Sequence, residues 1–307
     1  MTASKTWDIL GLGCVAVDDL LYLDAFPRPD TKHRVRQRQR QCGGLTGNAL
    51  VAAARLGARC AFGGTLGTDE ASQFVLDTFR REGIDVSTVR IVPEARPIRS
   101  TILVDQSQHT RTILFDLSGT VPISEDWPTE EVIRCSRVVY VDHYGIDGMI
   151  HAAKIAHASG GTVVADLERN EWPRFDELLD LVDHVVVNQA FAYKLTGCGD
   201  AKIAAESLWN NKRGAVVVTC GPDGCWWIGD GVSGAVHQAA FAVNVVDTTG
   251  CGDIFHGAYA AALVRGLPQA ERVRIASAAA AIKATKLGGQ QGSPNWDELN
   301  AFLANKS

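Results

Sequence analysis

The sequence predicts an α/β protein, in which a mostly parallel β-sheet is covered by helices on both faces. Short runs rich in Val, Ile and Ala alternate along the chain with helix-length amphipathic segments, and this alternation is typical of strand–helix–strand units. The predicted strands are residues 8–17, 59–65, 137–141, 162–166, 184–188 and 215–219. The predicted helices are residues 47–56, 70–82, 253–265 and 271–285.

A second, smaller sheet is predicted from stretches that depart from this alternation. Residues 100–105 and 111–117 are predicted to form a hairpin around a polar turn. Together with residues 14–24 and the extended stretch at residues 32–41, this hairpin predicts a lid over a substrate site. We expect a single domain, with the lid inserted in it. The predicted bounds are residues 1–307 for the domain and about 14–42 and 97–118 for the lid.

The extended stretch KHRVRQRQRQ carries an arginine at every second position, which places four guanidinium groups on one face of a strand. These residues are Arg34, Arg36, Arg38 and Arg40. One interpretation is a solvated lid face or a contact between the lids of two subunits. The other is that Lys32 or one of the arginines attracts an anionic substrate, such as a sugar acid or a phosphosugar.

Composition and charge exclude several functional classes. Of the 307 residues, 46% are hydrophobic and 21% are charged, close to the average for globular proteins. The formal net charge of −5 argues against a general nucleic-acid-binding protein, which is usually basic. Eight cysteines without metal-binding spacing predict free thiols in a reducing compartment, and the apolar run at residues 9–17 is too short to span a bilayer. We therefore expect a cytoplasmic protein without a nucleic-acid or membrane partner.

The stretch VVDTTGCGDIFHGAY at residues 245–259 carries the clearest indication of chemistry. A predicted strand is followed by Gly250, Cys251 and Gly252, which lead directly into a helix. Free N–H groups at a helix start attract anions, and such a site stabilises a phosphoryl group during transfer. Asp253 at its edge could accept a proton from an attacking hydroxyl. The same pattern also fits a glycine turn capped by an aspartate.

A second motif, CGGLTGNALVAAAR at residues 42–55, also places glycines before a helix. Gly43 and Gly44 would allow a substrate to approach the backbone closely. Asn48 offers both a donor and an acceptor to sugar hydroxyls. The alternative interpretation is a helix entry with an asparagine in its first turn.

A third motif, GLGCVAVD at residues 11–18, matches the G-x-G-x-x-A variant of the dinucleotide-binding turn. It leaves open an NAD-dependent oxidoreductase, although no long helix is predicted to follow. The alternative is that Asp18, at a strand end, binds paired hydroxyls, or that it is a solvated turn residue. The sequence contains neither a GxxxxGK[ST] phosphate-binding loop nor an HExxH zinc motif, and its histidines suggest no cluster.

Taken in order along the chain, these motifs resemble those of the ribokinase-like (PfkB) carbohydrate kinases. Residues 42–48 and 63–86 resemble the first signature of that family. DTTGCGD at residues 247–253 resembles the second signature, usually written DTxGAGD. The segments CAFGGTLG, VLDTFRREGIDVS and TRTILFDLSG are most similar to those of ketohexokinases.

The resemblance implies a ribokinase-like three-layer fold with a β-sheet lid, ATP as the phosphoryl donor and a divalent ion, usually Mg²⁺. It implies Asp253 as the base and the amides of Gly250, Cys251 and Gly252 as the anion hole. The implied sugar-binding positions are Asp18, Gly43, Gly44, Asn48 and Arg111. The implied nucleotide-binding positions are Asn188, Thr219, Gly221, Gly224 and Ser277. The carbonyls of Asp247 and Thr249 resemble a monovalent-cation site, for K⁺, found in some members.

Three residues depart from the family pattern. Cys251 replaces the usual alanine, which leaves a backbone donor in place. Phe191 occupies the glutamate position of the NxxE element that begins at Asn188, which puts the usual water-mediated hold on magnesium in doubt. Leu45 stands where ketohexokinases have an asparagine that contacts fructose, and this loss of a polar contact favours a different sugar.

The function predicted from these features is transfer of the γ-phosphate of ATP to a primary hydroxyl of a ketose or related small carbohydrate. One alternative is a nucleoside kinase of the same fold, in which aromatic residues in the lid and near His143 stack on a base. The other is a catalytically silent relative that binds nucleotide and acts through partners, which Phe191 would favour. An exposed lid face predicts a homodimer through the lid, because unpaired strand edges tend to be covered.

Overall fold

The computed structural model describes residues 5–108 and 110–306, and its middle layer is an eight-stranded sheet. Six neighbouring strands are parallel to one another, whereas the two strands at one edge pair antiparallel. In spatial order the strands are β14 (Val236–Gln238), β13 (Cys225–Gly229), β12 (Ala215–Thr219), β11 (His184–Asn188), β10 (Thr162–Asp166), β9 (Ser136–Val141), β1 (Trp7–Gly11) and β4 (Cys60–Phe62).

Helices cover both faces of this sheet. In chain order they are α1 (Leu45–Arg55), α2 (Glu70–Arg81), α3 (Glu130–Arg134), α4 (Ile146–Ala158), α5 (Phe175–Asp180), α6 (Gln189–Thr196), α7 (Ala201–Leu208), α8 (Cys251–Val264), α9 (Gln269–Ala284) and α10 (Trp296–Ala304). Along β12, Val217 packs into the core on one face, and Val216 and Val218 pack into the core on the other. Burial on both faces explains why these strands are continuous apolar runs. None of the helices in the described ranges is long and apolar enough to cross a membrane.

A smaller sheet of four strands lies apart from the large one. In spatial order its strands are β3 (Gln37–Gly43), β2 (Ala16–Leu23), β7 (Ile98–Asp105) and β8 (Thr110–Asp116). Leu20, Tyr22, Ile102 and Val104 form a small hydrophobic core on one of its faces. Every residue of β8 is exposed. A separate two-stranded pair joins β5 (Thr65–Leu66) to β6 (Arg90–Ile91).

The predicted arrangement of a mostly parallel sheet, covering helices and a second small sheet is confirmed, but the first predicted strand is wrong. Residues 8–17 are not one strand, because β1 ends at Gly11 and β2 begins at Ala16 in the other sheet. Between them, the N–H of Cys14 donates to the Asp142 carboxylate at 2.6 Å, which turns the chain away from the large sheet. No helix follows this segment, so it cannot present a helix start to a dinucleotide.

The predicted arginine face is also wrong in part. β3 begins at Gln37, so Arg34 and Arg36 precede the strand. Arg40 donates to the Asp19 carboxylate at 3.0 Å, which shows that an arginine of this stretch is neutralised within the sheet.

Candidate active site

The turn before α8 is held together by the side chain of Asp247. Its Oδ1 accepts the N–H of Thr249 at 2.8 Å, and its Oδ2 accepts the N–H of Gly288 at 2.9 Å. Gly250 follows with a φ of 74°, a left-handed conformation that favours glycine. A Cβ at this position would also lie 3.0 Å from the Cα of Gly289. The turn therefore requires glycine both for its conformation and for space.

The amides at the start of α8 are only partly free. The N–H of Cys251 donates to the carbonyl of Thr248 at 3.2 Å, so the prediction that this amide faces an anion needs correction. Across residues 5–108 and 110–306, the N–H groups of Gly250, Gly252 and Asp253 have no acceptor. These amides lie at the positive end of the helix dipole, so they form an electropositive site.

The Asp253 carboxylate lies in the first turn of α8 and is fixed from α1. Asn48 Nδ2 donates to Asp253 Oδ2 at 2.6 Å. Asp253 is reached from a cavity but is otherwise enclosed by protein, and this burial is the main reason that its pKa is raised to about 8. The negative charge of Asp166 is the next cause, and the bond from Asn48 opposes both. The result is a carboxylate of unusually high basicity.

A buried histidine lies beneath this carboxylate. His256 Nδ1 is 2.7 Å from the carbonyl oxygen of Gly252, and its Nε2 is 2.8 Å from that of Val186. Asp166 Oδ2 lies 3.4 Å from Nδ1. The ring thus ties the start of α8 to β10 and β11.

A cavity of about 360 Å³, which we call the polar cavity, lies between the small sheet and the start of α8. Its polar lining includes Asp18, Asn48, Arg111 and Asp253. Burial raises the pKa of Asp18 to about 6, and a hydrogen bond from Ser100 opposes this shift. Carboxylate, amide and guanidinium groups converging on one cavity suit a ligand with several hydroxyl groups.

A second cavity of about 370 Å³, which we call the apolar cavity, lies on the other side of the α8 start. Phe255, Ala280 and Ala284 contribute to its lining, along with the turn that follows β12. In that turn Gly224 has a φ of 87°, and a Cβ there would lie 2.1 Å from the carbonyl oxygen of Gln238. The apolar lining suits a ring system.

The two cavities meet at Gly252, which lines both of them. A Cβ on Gly252 would find no atom within 4 Å, so the backbone there is open to a ligand. The free N–H groups of Gly250, Gly252 and Asp253 therefore lie at the junction of the polar and the apolar cavity. A group passing from one cavity to the other would cross the electropositive start of α8.

Most residues predicted from the sequence meet at these two cavities. Those lining the polar cavity are Asp18, Gly44, Asn48, Arg111, Thr249, Gly250, Gly252 and Asp253. Those lining the apolar cavity are Thr219, Gly221, Gly224, Cys251, Gly252 and Ser277. The predicted residues that line neither are Gly43, Asn188 and Asp247.

Comparison with known proteins agrees with this geometry. The family model described as "pfkB family carbohydrate kinase" matches residues 12–296, which is most of the chain.

The chain belongs to the pfkB family of carbohydrate kinases.

Members of this family transfer phosphoryl groups to sugar hydroxyls, and the predicted class of enzyme is confirmed. A ribokinase of Haemophilus influenzae is 30% identical over 308 residues, which cover 95% of this chain and 97% of the relative. A ketohexokinase of Mus musculus is 28% identical and covers 87% of this chain and 92% of its own. An aminoimidazole riboside kinase of Salmonella typhimurium is 27% identical, with 86% and 88% covered.

Solved structures confirm the predicted ribokinase-like fold. A protein of Agrobacterium tumefaciens superposes with a TM-score of 0.88 at 27% identity, over 98% of each chain. A ribokinase of Arabidopsis thaliana, solved with ribose and ATP, superposes with a TM-score of 0.82 over 97% of this chain and 98% of its own. Its 23% identity supports a shared fold alone.

Two predicted residues of this pfkB kinase that lie outside both cavities, Gly43 and Asn188, have structural roles next to other residues. A Cβ on Gly43 would lie 1.9 Å from Asp18 Oδ2, so Gly43 makes room for the Asp18 carboxylate. Asn188 Oδ1 accepts the N–H of Phe191 at 2.9 Å and caps α6. Phe191 is buried and meets Phe175 edge-on, with ring centroids 5.9 Å apart. The position of the family's glutamate is therefore part of the hydrophobic core.

The third, Asp247, bears on the predicted monovalent-cation site. Lys283 Nζ donates to the carbonyl oxygen of Asp247 at 2.6 Å. Burial lowers the pKa of Lys283, and the neighbouring Cys251 and Asp247 oppose this shift. For Asp247, burial alone would raise the pKa of the carboxyl group. The charge of Lys283 and the hydrogen bonds from Thr249 and Gly288 outweigh this effect and leave the pKa of Asp247 below its usual range. The predicted ligand thus already has a donor from the chain itself.

The charged stretch at residues 32–41 does not line the polar cavity. None of Lys32, Arg34, Arg36, Arg38 and Arg40 lines the polar cavity. Two other arginines, Arg111 and Arg169, do line it, alongside the carboxylates of Asp18, Glu168 and Asp253. This placement does not support the interpretation in which the stretch binds an anionic substrate.

Several site residues were not predicted from the sequence. Asp166 and His256 lie beneath Asp253, and Lys283 lies beneath the turn before α8. One signal was available: His256 follows Asp253 by three positions, one helical turn, so the two side chains are neighbours on α8. Asp166 and Lys283 reach the site only through the fold of distant segments.

Proposed function

We propose that this chain is an ATP-dependent kinase that transfers the γ-phosphate of ATP to a primary hydroxyl of a small carbohydrate, such as a ketose. The observation that supports this most directly is the junction at Gly252, with Asp253 on the polar side. In the proposal the sugar occupies the polar cavity and ATP the apolar cavity. The γ-phosphate then lies against the free amides at the start of α8.

The proposed reaction is a direct in-line transfer. Asp253 accepts the proton of the sugar hydroxyl, whose oxygen forms a bond to the γ-phosphorus. The bond from that phosphorus to the bridging oxygen breaks, and ADP leaves. Asn48 holds the Asp253 carboxylate in place. The amides of Gly250 and Gly252 stabilise the negative charge that spreads over the phosphoryl oxygens.

The proposed acceptor contacts come from the small sheet and from the start of α1. Asp18 and Asn48 offer hydrogen bonds to sugar hydroxyls, and the exposed backbone at Gly44 lets the ring approach. Arg111 Nη1 donates to Thr248 Oγ1 at 2.9 Å, so this arginine links β8 to the turn before α8. Leu45 also lines the cavity. Ketohexokinases, which this chain resembles, have an asparagine at this position. An apolar side chain there favours an acceptor other than fructose.

For the nucleotide, we propose that Thr219, Gly221, Gly224 and Ser277 surround the adenosine part of ATP. Magnesium does not have the family's usual partner, because Phe191 belongs to the core. Among the described residues, no three His, Cys, Asp or Glu side chains gather as a metal site. We therefore propose that Mg²⁺ arrives bound to the phosphates and keeps most of its water, as it commonly does in such sites. Potassium is not included, because the Asp247 carbonyl is already bonded to Lys283.

The small sheet is proposed to act as the lid of a single domain, closing over the sugar and excluding water. β8 exposes an apolar side chain on the face away from the polar cavity, Leu114 at 56%. An exposed apolar edge strand is a surface that proteins usually cover. We therefore propose a homodimer through the lid. The eight cysteines are all free, which supports a cytoplasmic location, where thiols stay reduced.

An acceptor screen tests this function. The purified protein would be incubated with ATP, Mg²⁺ and separate ketoses, pentoses, sugar acids and nucleosides, and ADP formation measured against a control without acceptor. We expect ADP formation to depend on a sugar, and ³¹P NMR of the product to show a phosphate on a CH₂ group.

Two other results would favour the alternatives. Nucleoside-dependent turnover would favour a nucleoside kinase, for which the rings of His143 and Tyr144, 4.5 Å apart at the polar cavity, are a possible stacking surface. ADP binding without turnover on any acceptor would favour a catalytically silent relative and overturn the proposal.

A further inference from the structure

Lys283 is the most deeply buried cation next to the candidate site. It lies in the last turn of α9, and its relative exposure is 0%. Its ammonium group donates to the carbonyl oxygen of Asp247 at 2.6 Å and approaches that of Lys286 at 3.4 Å. Burying an ammonium is costly unless it is paired and hydrogen-bonded, so its position implies a specific role.

The loop after α9 is shaped around this side chain. A Cβ on Gly292 would lie 2.8 Å from the carbonyl oxygen of Lys283 and 3.2 Å from its Cγ. The same loop returns to the site through the N–H of Gly288, which donates to Asp247 Oδ2 at 2.9 Å. Lys283 therefore lies enclosed between the turn before α8 and the loop that closes over it.

The chemistry of this position is that of a monovalent cation. Backbone carbonyl oxygens are the groups that coordinate K⁺ in proteins, and the Asp247 carbonyl is one that the family resemblance assigns to such an ion. An ammonium is a compact point charge with three donors, and it can compensate the same carbonyl dipoles. One oxygen at 2.6 Å from Nζ leaves no room for an ion at the same place.

We propose that the ammonium group of Lys283 is a built-in monovalent cation, which takes the place of K⁺ beneath the anion-binding turn. This proposal rests on the proposed function only in that the turn binds the phosphates of a nucleotide. The Lys283 ammonium, which is part of the chain, then stabilises the 247–249 turn in place of a K⁺ ion that exchanges with solvent. Stability and nucleotide binding are then independent of the monovalent cation in solution.

The first test uses the unaltered protein. Thermal unfolding and ADP affinity would be measured in the chlorides of K⁺, Na⁺ and tetramethylammonium at equal ionic strength. We expect the same melting temperature and the same ADP affinity in all three. Crystals soaked in Rb⁺ should show no anomalous peak at the carbonyls of Asp247 and Thr249. A higher melting temperature or a higher ADP affinity in K⁺ than in the other two salts would overturn the proposal, and so would a Rb⁺ peak at these carbonyls.

The second test removes the ammonium. Lys283→Ala removes the donor to the buried Asp247 carbonyl and the positive charge near the Asp247 carboxylate, so we expect its melting temperature to fall on the order of 10 °C. K⁺ or methylammonium should restore much of this loss by occupying the vacated position, whereas tetramethylammonium is too large to do so. Lys286→Ala is the matched control, because its half-exposed side chain pairs with Glu298 at the surface, and it should show no cation response.

Failure of this proposal is distinguishable from failure of the proposed function. Both tests are made without any sugar, so the identity of the acceptor does not affect them. A folded Lys283→Ala that responds to none of the small cations would show that the position is not a cation site. If ADP does not bind the unaltered protein at all, the proposed function fails, while the melting temperatures still decide the role of Lys283.

Discussion

Asp253 combines two properties that a general base requires near neutral pH. It is reached from the polar cavity, and its pKa is raised to about 8 by burial and by the charge of Asp166. A carboxylate of ordinary pKa is ionised at neutral pH but is a weak base, whereas one near the working pH gains basicity and still ionises. The sequence motif identifies Asp253, but the raised pKa of Asp253 comes from surroundings that the motif does not contain.

The pH profile of the reaction should report this environment. We expect kcat/KM to rise with pH through a pKa of about 8, because Asp253 must lose its proton before it can accept one. The groups that face it are Asp166 at the end of β10, Glu168 just after β10, His256 on α8, and Asn48 on α1. The measurement is kcat/KM for the acceptor between pH 5 and about pH 10.

Asp166→Asn tests the cause of the shift. It removes the charge that disfavours ionised Asp253, so the acid limb of the profile should move to lower pH. Asp297→Asn, an exposed carboxylate in α10, is the control and should leave the profile unchanged. If the acid limb of the unaltered protein's kcat/KM profile gave a pKa in the usual aspartate range, this explanation would be contradicted.

At the scale of elements, the site depends on the crossing of α1 and α8. Asn48 is on the first and Asp253 on the second, and the helices approach each other closely at Gly257. A Cβ on Gly257 would lie 2.1 Å from the carbonyl oxygen of Ala49 and 2.8 Å from the Cβ of Ala52. Glycine at this position therefore sets the distance between the two helices, and with it the 2.6 Å contact that orients the base.

Gly257→Ala should push these helices apart. Overpacking of this kind costs about 1–3 kcal/mol, which for a chain of this size lowers the melting temperature by roughly 2–12 °C. Displacement of Asn48 from Asp253 should also lower kcat by on the order of tenfold or more. Calorimetry and initial rates measure the two effects. Gly199→Ala, where a Cβ would meet nothing within 4 Å, is the control, and equal behaviour of both variants would refute the close crossing.

The exposed strand β8 determines the predicted assembly. Leu114 points away from the polar cavity, unlike its neighbours Ile113 and Phe115, so it can be changed without touching that cavity. We expect the unaltered protein to sediment as a dimer and Leu114→Glu to sediment as a monomer, because a charge at an apolar contact is poorly tolerated. Ile203→Glu, at an exposed position on α7, is the control. A monomeric unaltered protein would contradict the lid dimer.

At the scale of the whole molecule, much of the fold could be predicted from local patterns. β10, β11 and β12 have the predicted bounds because buried parallel strands are short apolar runs with sharp ends. The break between β1 and β2 could not be predicted, because Gly13 and Cys14 continue an apolar run. The chain turns there through a bond to Asp142, which is distant in sequence.

The residues of the candidate site likewise fall into those that a local motif predicts and those that only the fold brings together. Asp253, Gly250 and Gly252 are contiguous, so a motif can carry them. The pairing of Cys251 with Thr248 depends on turn geometry that a motif does not specify. Lys283 is the one lysine in the sequence of α9, and only the packing of α9 against the turn before α8 shows where its ammonium lies. Roles that depend on long-range burial are therefore the ones that sequence patterns miss.

The central claim is that Asp253 removes a proton at the junction of two cavities. The most direct measurement is kcat for Asp253→Asn with the acceptor identified by the screen, together with calorimetric affinities for ADP and acceptor. Asparagine keeps the shape and can still accept from Asn48, so the account predicts a kcat lower by about 10²–10⁴ with both affinities nearly unchanged. A variant that keeps near-normal kcat would contradict the account.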